Sequence, residues 1–148
     1  QELNIANNQL IYKADAESEA DTDMAGIIAI SNAIPTMGAL LSLNISNNRM
    51  ATKEAGKALA NALSANSVLK ELDVSSNNWL KYGDWMGDGP GFVQELVGGL
   101  RHNGTMTSLN ISDNLVSTFT QNCRLNFSGR DSVYSNTQGT EIFRHLSS

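Results

Sequence analysis

Residues 38–78 read GALLSLNISNNRMATKEAGKALANALSANSVLKELDVSSNN, and one spacing occurs twice along this region. Leu40, Leu43, Ile45, Asn48 and Met50 set it out, and Leu69, Leu72, Val74, Asn77 and Trp79 repeat it after an alanine-rich segment. Within each copy the apolar residues Leu43 and Ile45, or Leu72 and Val74, alternate with polar ones, the period of a half-buried strand. Between the copies Ala55, Leu59 and Leu63 recur every four residues, as one face of a helix requires, and Thr52 is placed to cap its N-terminus. Ala58, Ala60 and Ala62 keep that helix thin enough to pack beside neighbours.

Working outward, the same unit is found on both sides. Upstream, Leu3, Ile5, Asn8 and Leu10 match the strand register; downstream, Leu109, Ile111, Asn114 and Val116 do. Gly26, Ile30 and Ile34 predict a helix that Pro35 ends, and Phe92, Leu96 and Leu100 take the places of Ala55, Leu59 and Leu63 in a third helix. Ile34, Leu63 and Leu100 each lie nine residues before a strand leucine (Leu43, Leu72, Leu109), and this constant offset sets the register. Gly139, Ile142 and Leu146 repeat the spacing of Gly56, Leu59 and Leu63, predicting a fourth helix beyond the polar, irregular stretch 118–136. Strands are therefore expected near 3–5, 43–45, 72–74 and 109–111. Helices are expected near 23–34, 53–65, 91–102 and 139–146, all within one domain spanning 1–148.

The pattern LxxLxLxxNx followed by a hydrophobe resembles the leucine-rich repeat family, and AGKALANALSAN followed by LKELDVSSN resembles its ribonuclease-inhibitor-like subclass. The resemblance implies an α/β solenoid, a horseshoe with a parallel β-sheet on the concave face and helices on the convex face. Strands about 4.8 Å apart and helices roughly 10 Å apart bend such a stack. It also implies a structural role for Asn8, Asn48, Asn77 and Asn114, whose amides would point inward and bond the backbone of adjacent turns as an asparagine ladder. A chain that opens on a strand and closes on a helix looks like a piece of a longer solenoid.

Such a fold binds partners, and a protein partner is the expectation here. Side-chain alternation turns Glu2, Asn4, Ser42, Asn44, Glu71, Asp73, Ser108 and Asn110 away from the core, onto the concave face, where they form the default contact surface. That surface is polar and mildly acidic and lacks the Trp, Tyr and Arg of interface hot spots, so it suits weak or basic partners. A second candidate surface is the glycine-rich insertion WLKYGDWMGDGPGF, in which Tyr82, Trp85 and Met86 either fold over the edge of the stack or form a recognition loop. Uncapped terminal repeats would alternatively stack end to end on another copy or on the rest of a larger protein. A regulator of small GTPases is a further alternative resting on fold analogy alone.

Several classes are disfavoured by composition. Ten Lys and Arg against fifteen Asp and Glu give a net charge of −5 and no basic patch, so nucleic acid is not the expected partner. No apolar run approaches the roughly 20 residues that span a bilayer, and no signal peptide is visible. Cys123 is the only cysteine, which favours a reducing compartment and a cytoplasmic location. Sequons at Asn44, Asn103, Asn110 and Asn126 are read as chance matches in an asparagine-rich repeat. The acidic run 15–23 offers spaced carboxylates but lacks the glycine and terminal glutamate of an EF-hand loop, and is expected to be a solvated connector; Asp84 and Asp88 are a weaker case still. No catalytic motif is present, His102 and His145 fall near predicted helix ends, and neither enzyme activity nor a cofactor or metal is expected.

Overall fold

A computed structural model describes residues 1–13, 22–77, 80–81, 84–85, 91–101, 103–114 and 133–135. The chain is mixed α/β. Strands β1 (Glu2–Asn4), β4 (Ser42–Asn44), β5 (Glu71–Asp73), β8 (Ser108–Asn110) and β9 (Val133–Ser135) form one sheet in the order β1-β4-β5-β8-β9, with every neighbouring pair parallel. Helices α1 (Ala25–Ala33), α2 (Lys53–Ser64) and α3 (Gly91–Leu100) cross between successive strands. Two antiparallel ribbons are inserted: β2 (Tyr12–Lys13) with β3 (Thr22–Asp23), and β6 (Leu80–Lys81) with β7 (Asp84–Trp85).

The register puts Leu3, Leu43, Leu72 and Leu109 side by side across four strands. The last three are buried, as are Ile45, Val74 and Ile111 two residues on, and all six belong to one core cluster with the inner faces of the helices. Ile34, Leu63 and Leu100 are fully buried in that cluster, so the nine-residue offset joins the end of each helix to the strand that follows. A three-residue strand cannot hold itself together; pairing with its neighbours and packing against the helices supply the buried apolar area that it lacks alone.

Helix α2 starts where Thr52 Oγ1 accepts the Ala55 N–H at 3.2 Å, and its buried residues are Ala55, Gly56, Leu59, Ala60, Ala62 and Leu63. Helix α3 presses on it closely. A Cβ at Gly56 would lie 2.2 Å from the Phe92 carbonyl oxygen, and one at Gly99 would lie 2.4 Å from Ala60 Cβ. Lys53 and Glu95 add an ion pair of 3.5 Å across the same two helices. Helix α1 packs inward through Ile27, Ser31 and Ile34, which are buried, with Ile30, half-buried, packed against the same core. Gly26 lets the Leu10 backbone approach so closely that a Cβ would sit 2.6 Å from its carbonyl oxygen, and the Ile27 N–H donates to that same oxygen at 3.2 Å, which draws Ile27 inward. The chain also runs through Pro35, which sits in a 3-10 turn, Ile34–Thr36, after the α-helix ends at Ala33.

Strand β9 lies inside the stretch 118–136, which its sequence marks as irregular. It pairs Tyr134 with Leu109, because the open edge of β8 offers a row of backbone donors and acceptors to any short extended segment. The expected helix near 139–146 lies outside the described residues.

Candidate functional site

The face of the sheet opposite the core carries two rows. Glu2, Ser42, Glu71 and Ser108 are aligned as partners in one row, and Asn4, Asn44, Asp73 and Asn110 in the other. Glu2, Asn4 and Glu71 are exposed and the other five are half-buried. Neighbours along a row stand about 4.8 Å apart, the spacing of paired strands.

The two rows differ in what their side chains are free to do. In the second row Asn4, Asn44, Asp73 and Asn110 each accept the backbone N–H two residues on through Oδ1: Ala6 at 3.0 Å, Ser46 at 2.9 Å, Ser75 at 2.8 Å and Ser112 at 3.1 Å. Asn110 also donates from Nδ2 to Asp73 Oδ2 at 3.1 Å. This row shapes the exit of each strand. The carboxylates of Glu2 and Glu71 and the hydroxyls of Ser42 and Ser108 lie in the other row, and no basic residue belongs to either.

Beyond the strand exits the chain makes the same turn in each unit. Asn7, Asn47, Ser76 and Asp113 have positive φ (63°, 52°, 55° and 55°), as do Gln9 and Arg49. These turns surround the repeat asparagines. Asn77 is fully buried; its Nδ2 donates to the carbonyls of Val74 (2.8 Å), Ile45 (3.1 Å) and Ser75 (3.3 Å), and its Oδ1 accepts the N–H of Asn48 (2.7 Å) and Met50 (3.3 Å). Asn48 does the same one unit earlier, donating to Ile5 and Ser46 and accepting from Asn8 and Leu10. Asn114 donates to Val74, Ile111 and Ser112 and accepts from Asn77. Asn8, in the unit of the edge strand β1, donates to Ile5 and Ala6 of its own turn and is exposed.

A second asparagine pair escaped the sequence reading. Asn66 Nδ2 donates to the Ile34 carbonyl at 2.8 Å while Oδ1 accepts from Val68 and Leu69; Asn103 Nδ2 donates to the Leu63 carbonyl at 3.2 Å while Oδ1 accepts from Thr105 and Met106. Both are buried, and both tie the end of one helix to the end of the previous one. Their signal was present: each stands six residues before a strand leucine, Leu72 or Leu109. Burial and bonding also deprive the Asn103 sequon of an accessible amide in the folded chain.

The remaining candidates are only partly placed. Trp85 lies in β7, paired with Leu80, while Tyr82 and Met86 lie outside the described residues. So do Asp15, Glu17, Glu19 and Asp21 of the acidic run, together with Asp88, His102, Cys123, Asn126 and His145. Asp23 closes that run by accepting the Ala25 N–H at 2.8 Å, at the start of α1. Among the described residues no three His, Cys, Asp or Glu are grouped so as to hold a metal ion, and no helix is long and apolar enough to cross a membrane. No family model matches the chain, and no curated protein matches its sequence.

Proposed function

We propose that the chain is a leucine-rich repeat solenoid of the ribonuclease-inhibitor-like kind and that it binds a protein partner on the open face of its parallel sheet. The observation that carries this reading is the strand register, which turns isolated polar residues into two continuous rows across four strands. With the Oδ1 atoms of the asparagine-rich row bound to backbone, contacts fall to Glu2, Ser42, Glu71 and Ser108. Two carboxylates with no basic residue among them favour a basic segment of the partner, held by charges that are weak singly and additive in a row. The Trp85 ribbon, which follows β5, would add an apolar contact at the rim.

A lysine-rich peptide titrated at low salt tests the reading. Binding should weaken about two- to fivefold for each of Glu2→Lys and Glu71→Lys, the scale of one exposed ion pair, and should fade as salt is added. Binding that ignores both substitutions would place the interface elsewhere.

End-to-end assembly is the second reading. Asn8 is exposed although Asn48 and Asn77 are fully buried, and the outer edge of β1 meets no described strand. A solution mass that rises with concentration would support it, and a monomer at every concentration would remove it.

A further inference from the structure

Asn103 is followed by Gly104, the one place in the chain where glycine follows asparagine. The pair is reactive because glycine has no Cβ, so its backbone nitrogen reaches the preceding side-chain Cγ without hindrance. In an open chain that approach closes a five-membered ring. The Gly104 nitrogen gives its proton to base and bonds to Asn103 Cγ, the Cγ–Nδ2 bond breaks, and Nδ2 takes a proton from water and leaves as ammonia. Water then opens the succinimide. Cleavage between Cγ and the nitrogen gives aspartate; cleavage between the backbone carbonyl carbon and the nitrogen gives isoaspartate, whose main chain runs through Cγ. The net change is hydrolysis of an amide to a carboxylate.

The fold places this pair where its amide cannot take part. Asn103 is buried, and its Nδ2, the leaving group, donates to the Leu63 carbonyl at 3.2 Å. Its Oδ1 accepts the N–H groups of Thr105 and Met106, each at 2.9 Å. Ring closure makes the planar Cγ tetrahedral and brings water to Nδ2, and both changes require these three bonds to open. Asn66 makes the same set of bonds at the end of α2, to Ile34, Val68 and Leu69, but is followed by Ser67. Two buried asparagines share one structural role, and only Asn103 carries the reactive sequence.

We propose that Asn103 is a modification site gated by the fold: opening of the connection from α3 to β8 exposes it to deamidation, and the product prevents that connection from closing. Aspartate presents a carboxylate oxygen to the Leu63 carbonyl, two acceptors with no proton between them, and isoaspartate adds a carbon to the main chain of a packed turn. An opening that lasts long enough to react is therefore recorded permanently.

The test incubates the full chain at mildly alkaline pH, in native buffer and in guanidinium chloride, and reads the mass gain at each asparagine by peptide mapping. In denaturant Asn103 should react faster than Asn66. In native buffer it should react at least about tenfold more slowly than in denaturant, because only the open fraction is reactive. Gly104→Ser gives Asn103 the neighbour that Asn66 already has, and Ser67 occupies its turn without a positive φ, so the fold accommodates the change. This variant should lose the fast reaction in denaturant and keep the native Tm. The deamidated chain, separated by its added negative charge and refolded, should melt below unmodified chain taken through the same steps. Asn103→Asp, purified without denaturant, should also melt lower. Equal rates at Asn103 in the two buffers, a rate in denaturant no faster than that of Asn66, a fast reaction that survives Gly104→Ser, or an unchanged Tm after deamidation or in Asn103→Asp would overturn the proposal.

Discussion

The Oδ1 atom of Asn77 accepts the backbone N–H of Asn48 at 2.7 Å, across two turns that are 29 residues apart in the chain. The same amide group donates to three carbonyls, so one side chain closes five hydrogen bonds at a fully buried position. Asn77→Ala therefore leaves buried backbone groups of two units unpaired and should cost about 2–3 kcal/mol. Asn8→Ala should cost under about 1 kcal/mol, because Asn8 is exposed and water can replace it. Chemical denaturation of the two variants checks the contrast; equal midpoints would mean that the buried ladder is not what fixes the turns.

Asn103 makes a parallel prediction for the pair the sequence reading overlooked. Asn103→Asp keeps the acceptor that holds Thr105 and Met106 but sets a carboxylate oxygen where Nδ2 now donates to the Leu63 carbonyl. The loss should be about 2 kcal/mol or more, since burial makes both the lost bond and the new charge costly. Thermal unfolding would show it as a clear fall in Tm, whereas an unchanged Tm would mean that the helix ends are not joined through this amide.

Two glycines of neighbouring helices should respond to alanine with opposite signs. At Gly98 a Cβ meets nothing within 4 Å, so Gly98→Ala should stabilise by about 0.8–1 kcal/mol through helix propensity. At Gly56 the same gain is offered, but the Cβ would strike the Phe92 carbonyl, backbone that can yield only if α2 and α3 separate. Over-packing of this kind costs about 1–3 kcal/mol before relaxation, so the net effect should be destabilising. Matched stabilisation of both variants, read from urea midpoints, would disprove close packing of these helices.

Ser31→Ala should raise stability by about 0.5–2 kcal/mol, combining better helix propensity with removal of a buried unpartnered hydroxyl. A fall in stability would reveal a hydrogen bond to Ser31 within the fold.

The strand and helix pattern was legible because it depends on short periods. Side chains alternate along Leu43–Ile45 and Leu72–Val74 and recur every four residues along Ala55–Leu59–Leu63, so the sequence determined an α/β chain of repeated units and the residues of its core. Which outward-facing side chains are tied to the backbone, and which stand exposed, was decided only by tertiary structure. Asn44 and Glu71 have the same alternation signal, yet in the fold Asn44 bonds the Ser46 N–H while Glu71 stands exposed in the other row. Strand β9 was illegible because Val133–Ser135 lacks the leucine and asparagine spacing that marks the other four strands; it is defined by its pairing with β8. The burial of Ile27 and Ser31 beside Ile34 was not legible in the spacing of Gly26, Ile30 and Ile34, because it depends on the close approach of Gly26 to the Leu10 backbone. Periodicity is a property of neighbours along the chain, whereas distances between units are set by side chains that meet only after folding.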